Sequence, residues 1–318
     1  MTNAINIMGK APALKALLRQ VKIIAGTDAN VLISGETGTG KELIALTLQQ
    51  KSRRAGEAFI SLNCAALSPD LLESTLFGYL KGAFTNAEEN TSGIIAAADG
   101  GTLFLDEINS LSLVLQAKLL RFIQNGEYLP VGSVKTLTAD VRIIAATNAP
   151  MLEIIELGQF RADLYYRLSV FEVDMPPLRE RREDISLLLH YYLRYFASKY
   201  NLRTTVLKKD AIQALEKYAW PGNVRELRNL CENLTISKVS RMIGIGDLPA
   251  NYLQTGHKCQ VLYLELPEEG LDWYQLEQSL LNQALKLADG NVSDAADLLG
   301  LSRHALYYRI KKWELMDS

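Results

Sequence analysis

Cysteine is nearly absent from this 318-residue chain: Cys64, Cys231 and Cys259 are its three, odd in number and far apart. No CxxC pair and no Cys/His zinc spacing accompanies them, which excludes a disulfide framework and a structural zinc site and leaves reduced thiols. Long apolar runs are missing too, so no segment can span a bilayer. Lys10, Lys15, Arg19 and Lys22 interrupt the first thirty residues and exclude the apolar stretch of a signal peptide. A large charge excess is also lacking. The net charge of −2 argues against a wholly basic nucleic-acid coat but permits a local basic patch. Internal repeats and low-complexity tracts do not occur. The sequence therefore reads as a soluble cytoplasmic protein with no membrane partner.

What is present is ample for a core: 48% of residues are hydrophobic and 22% charged. The length suggests two or three folding units. Strand-like apolar runs at 31–34, 59–62, 102–105, 141–146 and 170–173 alternate with helical stretches such as 41–50 and 113–124. That alternation predicts an α/β layer with a mainly parallel sheet. Met175-Pro176-Pro177 ends the pattern. Residues 184 to 238 read as helices only, with a Pro221-Gly222 turn between two of them. Residues 244 to 270, rich in Gly and Pro, read as a linker with a strand-like piece at 261–266. A compact helical unit follows from Leu271.

Directly after the first strand comes Gly35-Glu36-Thr37-Gly38-Thr39-Gly40-Lys41-Glu42, a GxxxxGK loop with a strand before it and a helix after it. Its glycines let backbone N–H groups close around phosphate oxygens, at a helix terminus that already favours anions. Lys41 is placed to reach the β- and γ-phosphates of ATP. Glu42 stands where a Mg²⁺-binding hydroxyl is usual. Farther on, the strand 102–105 delivers Asp106, suited to hold Mg²⁺, and Glu107, suited to polarise an attacking water. The next strand ends at Thr147-Asn148, polar groups placed to sense a γ-phosphate. Arg161, Arg167 and Arg225 are either surface ion-pair partners or part of the same chemistry.

"FGYLKGAFTNAEE", residues 77–89, puts Phe84 among Gly82, Ala83, Thr85, Asn86 and Ala87. Small residues predict a mobile loop, where an exposed aromatic calls for a partner.

Residues 289 to 316 read as helix, turn, helix. Ala296, Gly300 and Leu306 occupy the small, turn and core positions, and Leu306, Ile310 and Trp313 share one face of the second helix. Opposite lie His304, Tyr308 and Lys311. Arg303, Arg309, Lys311 and Lys312 supply a local basic excess suited to phosphates of duplex DNA, with His304 and Tyr308 near base edges and Tyr307 also at the DNA. Asp294 and Asp297 would weaken binding, so multivalency is expected. A stripe of Trp273, Leu276, Leu280, Ala284 and Leu287 precedes the motif, as core or as a dimer seam, and paired half-sites favour the seam.

GETGTGKE, NCAAL, GAFTNA, GGTLFLDE, FRADLYYRL, PPLRER and WPGNVREL occur in this order across residues 35 to 227. Together they closely resemble the AAA+ domain of bacterial enhancer-binding proteins, the NtrC-like activators of sigma-54 RNA polymerase; residues 271–318 resemble their Fis-type DNA-binding domain. The resemblance implies an AAA+ α/β subdomain (1–175), a helical lid (176–245), a linker (246–270) and a helix-turn-helix (271–318). It implies a hexameric ring ATPase with ATP sites between subunits. By the same resemblance Asn63 is a switch holding Glu107, Arg161 and Arg167 are fingers acting on a neighbouring subunit, and Arg225 is the lid's sensor. The loop Gly82, Ala83, Phe84, Thr85, Asn86, Ala87 would grip the sigma factor of the polymerase holoenzyme. Glu42 matches the family form of the loop.

This sequence departs from the family at Asn86, which replaces a usual second glycine, and at 91–96, which lacks the basic residue and Phe-Glu pair common there. The match begins almost at Met1, as expected of an activator held by a separate inhibitory protein, or of an excised fragment. A regulator or repressor that keeps the fold but no longer engages sigma-54 is the alternative reading. An AAA+ unfoldase or replication loader is a third, and it leaves the DNA reader and Phe84 unexplained.

Overall fold

The protein is described by a computed structural model covering residues 7–84, 87–237, 242–253, 272–288, 290–299, 301 and 303–312. Five strands form one parallel sheet: β1 (Val31–Ser34), β2 (Phe59–Asn63), β3 (Thr102–Asp106), β4 (Arg142–Thr147) and β5 (Phe171–Asp174). Their order is β2-β3-β4-β1-β5, which places β1 between β4 and β5. Each of the five strands expected for this sheet is present, displaced by no more than one residue at an end.

Alternation along the strands explains the two covered faces. Leu103 and Leu105 of β3, with Ile143 and Ala145 of β4, pack into one buried cluster. Phe104, Ile144 and Ala146 point the other way, into a second cluster with Val31 and Ile33. Helix α1 (Pro12–Ala25) covers that second face through Leu14, Leu17, Val21 and Ile24, a helical spacing that Pro12 opens. Helix α2 (Lys41–Gln50) adds Ile44, Ala45 and Leu48. Helices α3 (Pro69–Phe77) and α4 (Leu113–Asn125) cover the first face. Since every strand runs the same way, all five carboxyl ends meet at one edge of the sheet, where ligands bind in such folds.

Beyond β5 a helical lid packs its own core. Helices α5 (Glu183–Lys199), α6 (Lys209–Lys217) and α7 (Asn223–Ser237) bury Leu189, Phe196, Leu215, Trp220 and Leu227 among others. The expectation of helices only is corrected here: Val206–Leu207 pairs in parallel with Met242–Ile243. Leu207 and Ile243 anchor this pair in the lid core, but two residues are too few to show a period.

The chain divides into two compact units, Met1–Thr255 and Gly256–Ser318. The second holds α8 (Trp273–Leu287), α9 (Val292–Leu298) and α10 (Arg303–Lys312) around Leu281, Ala284, Ala295, Ala296, Leu306 and Ile310. Of the expected stripe on α8 only Ala284 joins this core. Trp273, Leu280 and Leu287 are exposed, as a seam would leave them, while Leu281 and Leu285 turn inward beside Ala284. The expected strand at 261–266, Gly300 and Trp313 lie outside the described residues. Among the described residues no helix is long and apolar enough to cross a membrane.

Candidate nucleotide, partner and DNA sites

The Gly35–Lys41 loop leaves β1 at the carboxyl edge and enters α2. Three of its glycines need left-handed backbone: Gly35 (φ 140), Gly38 (φ 79) and Gly40 (φ 104). At Gly38 a Cβ would stand 2.4 Å from the Gly222 carbonyl, so no larger residue fits. The Lys41 ammonium donates to the carbonyls of Gly35 (2.7 Å) and Glu36 (3.2 Å), which holds it over the loop. Burial pulls its pKa below the usual lysine value, while the carboxylates of Asp106 and Glu107 oppose that shift. Glu42 is exposed.

Asp106 ends β3, with Asn63 of β2 its partner in register. The Asp106 carboxylate accepts the Glu107 N–H at 3.0 Å. Glu107 itself is left-handed (φ 54), a conformation that costs a non-glycine residue about 1–2 kcal/mol and turns its carboxylate off the strand line. At the end of β4, Asn148 donates to the Thr37 hydroxyl at 3.1 Å, and Thr147 to Asn109 at 2.9 Å. Asn63 accepts from the Ala65 N–H at 2.8 Å; among the described residues no hydrogen bond joins it to Glu107. Arg225 opens α7 from the lid, its N–H on the Gly38 carbonyl at 3.3 Å.

Two cavities meet here. One of 190 Å³ is lined by Gly38, Gly40, Lys41, Glu42, Asp106 and Arg225. The other, of 480 Å³, is lined by Ile7, Met8, Leu43, Met175, Leu188 and Tyr192 with others. Gly40, Leu43, Tyr192, Val224 and Arg228 belong to both, so a phosphate-sized compartment runs into a largely apolar one. Sequence reasoning did not single out the apolar wall, because its residues come from four separated segments.

Glu36 does not face that space. Its carboxylate takes both guanidinium nitrogens of Arg179 (2.6 and 2.8 Å) and the Asn223 amide (3.0 Å). Those hydrogen bonds, Arg179 foremost and then Asn223, hold its pKa below the usual carboxylate value. Arg179 and Asn223 lay inside quoted motifs, yet nothing in their spacing announced a role.

Arg161 is bound by Asp163 through two contacts, 3.1 and 2.7 Å, as a surface ion pair. Arg167 is exposed, and its carbonyl accepts from the Asn30 amide at 3.0 Å.

Phe84 is half-exposed and leans on Tyr79, ring centroids 4.9 Å apart. It is neither core nor free. Gly82 (φ 83) has open space around it, and the Gly82 and Ala87 N–H groups cinch the loop on Ala87 and Phe84 carbonyls. Ala87 is buried, so its side chain underpins the loop in this conformation and offers no contact surface. Thr85 and Asn86 lie outside the described residues. Ala83 packs on Gly132, in a neighbouring hairpin that exposes Leu129, Val134 and Leu137. That second apolar tip went unread in the sequence, where its residues carry no pattern.

In the second unit Ala296, Leu306 and Ile310 are buried as expected, and Tyr307 and Tyr308 are exposed. Arg303, His304, Lys311 and Lys312 lie on α10, though their side chains are outside the described set. Arg309 is spent differently: its guanidinium pairs with Glu277 of α8 at 3.0 Å, which withdraws it from the basic excess.

Residues 7–174 match the family model described as the sigma-54 interaction domain, more than half of the chain. The chain belongs to the sigma-54 interaction domain family. The rest of this family member matches an AAA+ ATPase lid domain at 179–262 and a bacterial regulatory protein domain of the Fis family at 274–313. It is 43% identical over 313 residues to the phenol regulator MopR of Acinetobacter guillouiae, covering 96% of this chain and 56% of that protein. It is 44% identical to the Nif-specific regulatory protein of Klebsiella pneumoniae, covering 98% of this chain and 59% of the relative. The chain thus spans less than two thirds of either relative. Among solved structures it resembles NtrX from Brucella abortus in complex with ATP, with 30% identity, a TM-score of 0.73 and coverage of 96% and 69%. The fold is that of an AAA+ P-loop ATPase with a helical lid and a Fis-type helix-turn-helix.

Proposed function

We propose that the chain is an ATP-hydrolysing activator that binds duplex DNA upstream of promoters and remodels the closed complex of sigma-54 RNA polymerase. One observation carries this reading: a GETGTGKE loop and the Asp106-Glu107 pair share a sheet edge in a unit that also bears an exposed Phe84. The Fis-family match supplies the DNA reader, and the ATP named for NtrX supports the nucleotide.

In this reading the triphosphate lies along Gly35–Lys41, with the base in the 480 Å³ cavity. Asp106 fits a Mg²⁺ ion, since magnesium takes one or two carboxylates and completes its shell with phosphate and water. Among the described residues no group of three or more His, Cys, Asp or Glu gathers to form an all-protein cage, in keeping with that choice. When bound, the ion neutralises charge developing on the β- and γ-phosphates. Glu107 accepts the proton of the attacking water. Asn63 relays the state of the partner loop, Asn148 reports the γ-phosphate, and Arg225 closes the lid.

Arg161 and Arg167 serve a neighbouring subunit, in a ring we assign as a hexamer. Exposed Tyr166, Val170 and Phe171 beside them suit a subunit contact. Gly82, Ala83, Phe84, Thr85, Asn86 and Ala87 form the loop that engages the sigma factor. Arg303, His304, Tyr307, Tyr308, Lys311 and Lys312 meet DNA, and a transcription role places the protein in the cytoplasm. Residues 1–175, 176–245 and 271–318 act as the three working parts, joined by 246–270.

Retention of sigma-54 tests the proposal. The protein should bind sigma-54 with an ATP transition-state analogue and release it with ADP. Equal retention, or none, in both states contradicts it.

A further inference from the structure

Between Gly35 and Gly40 the lid grips the phosphate loop one residue after another. Glu36 is held by Arg179 and Asn223. The Thr37 carbonyl accepts from the Asn223 amide at 3.1 Å, the Gly38 carbonyl from the Arg225 N–H at 3.3 Å, and the Thr39 carbonyl from Arg181 at 2.8 Å. Asn223 is fully buried and left-handed (φ 51), and its remaining acceptor takes the Leu178 N–H at 2.7 Å. Arg181 is buried as well. A left-handed asparagine and a buried guanidinium are both costly, and loop carbonyls are what they are spent on.

A peptide unit is planar and trans, so its N–H points opposite to its C=O. A Thr37 carbonyl turned to Asn223 therefore sends the Gly38 N–H the other way. A Thr39 carbonyl turned to Arg181 does the same for Gly40. Both glycines line the 190 Å³ cavity beside Lys41 and Asp106. We propose that Arg179, Arg181 and Asn223 are positioning residues of the ATPase: from outside the loop they fix its peptide planes so that backbone donors face the phosphates. Arg179 and Asn223 line neither compartment and so contribute to phosphate binding without touching nucleotide, whereas Arg181 also lines the 480 Å³ cavity. This rests on the reading of Gly35–Lys41 as a phosphate site.

Two ligands separate this role from simple support of the lid. ATP carries phosphates, while adenosine uses only the apolar cavity, whose wall also includes lid residues such as Leu188 and Tyr192. Calorimetric affinities should be measured on the full chain for wild type, Arg179→Ala and Asn223→Asp. The aspartate keeps an acceptor for Leu178 but loses the donors to Glu36 and Thr37. Loss of hydrogen bonds to a charged group predicts roughly 10- to 100-fold weaker ATP binding in each variant. Adenosine affinity should stay within about two-fold, and the ATPase defect should sit in KM with kcat little changed. Arg179→Lys should recover part of the loss, since an ammonium can replace one of the two contacts. Arg179→Ala changes a half-exposed side chain, so the test does not hang on the folding of the Asn223 variant. Unchanged ATP affinity in Arg179→Ala, or an equal fall for adenosine, overturns the proposal. A wild type that binds adenosine but no ATP overturns the phosphate site itself.

Discussion

Asn30 and Arg167 meet at the amino-terminal edge of the sheet, where the Asn30 amide donates to the Arg167 carbonyl at 3.0 Å. The phosphate loop leaves the opposite end of β1. From Asn30 to Gly35 the strand covers about 16 Å, so the exposed Arg167 side chain starts a full strand length from its own loop. In the proposed ring its place in catalysis is on another subunit. Lys41→Ala and Arg167→Ala should each be inactive alone, since such fingers are worth roughly 10³–10⁵ in turnover. Mixed, they should regain part of the ATPase activity at interfaces joining an intact loop to an intact arginine. No recovery, in rings shown to be mixed, contradicts the trans role.

If Glu107 is the base, as proposed, its loss separates binding from hydrolysis. Its carboxylate follows Asp106 at the strand end, and Glu107→Gln keeps the side-chain shape while removing the base. ATP affinity should be retained within a few-fold and single-turnover hydrolysis should fall about 10²–10⁴-fold. Wild-type turnover in that variant assigns the base elsewhere.

Acid should loosen the lid through Glu36. Its folded pKa lies below the usual carboxylate value because Arg179, and then Asn223, hold the ionised form. A lowered folded pKa gives stability that is present above the unfolded pKa and lost as pH falls through the folded one. Wild type should therefore melt higher than Glu36→Gln at neutral pH, with the gap closing as the pH falls through and below the usual carboxylate range. A gap independent of pH shows that the charge of Glu36 contributes nothing.

The middle of the sheet was legible because its three inner strands are buried on both faces, so Val31–Ser34, Thr102–Asp106 and Arg142–Thr147 read as apolar runs. The placement of Lys41, Asp106 and Glu107 at the carboxyl edge was legible because each stands at or just beyond the end of an apolar run. Arg179, Arg181 and Asn223 were not. Their partners lie more than a hundred residues away in sequence, and only folding brings lid and loop together. The core face of α8 was left open for a related reason: a helix of mixed apolar residues allows two neighbouring faces, and the packing of α9 and α10 chose Leu281 and Leu285 beside Ala284. The Arg309–Glu277 pair was hidden in the same way, each residue looking free on its own helix.

Phe84 carries the central claim, that hydrolysis at the sheet edge does work on the sigma factor. The most direct measurement is open-complex formation at a sigma-54 promoter, followed by permanganate reactivity of unpaired bases with ATP present. Wild type should open the promoter with ATP and not with ADP. Phe84→Ala should hydrolyse ATP and bind DNA as wild type does, yet open nothing. Promoter opening by Phe84→Ala at the wild-type rate, or failure of wild type to open the promoter while hydrolysing ATP, contradicts the account.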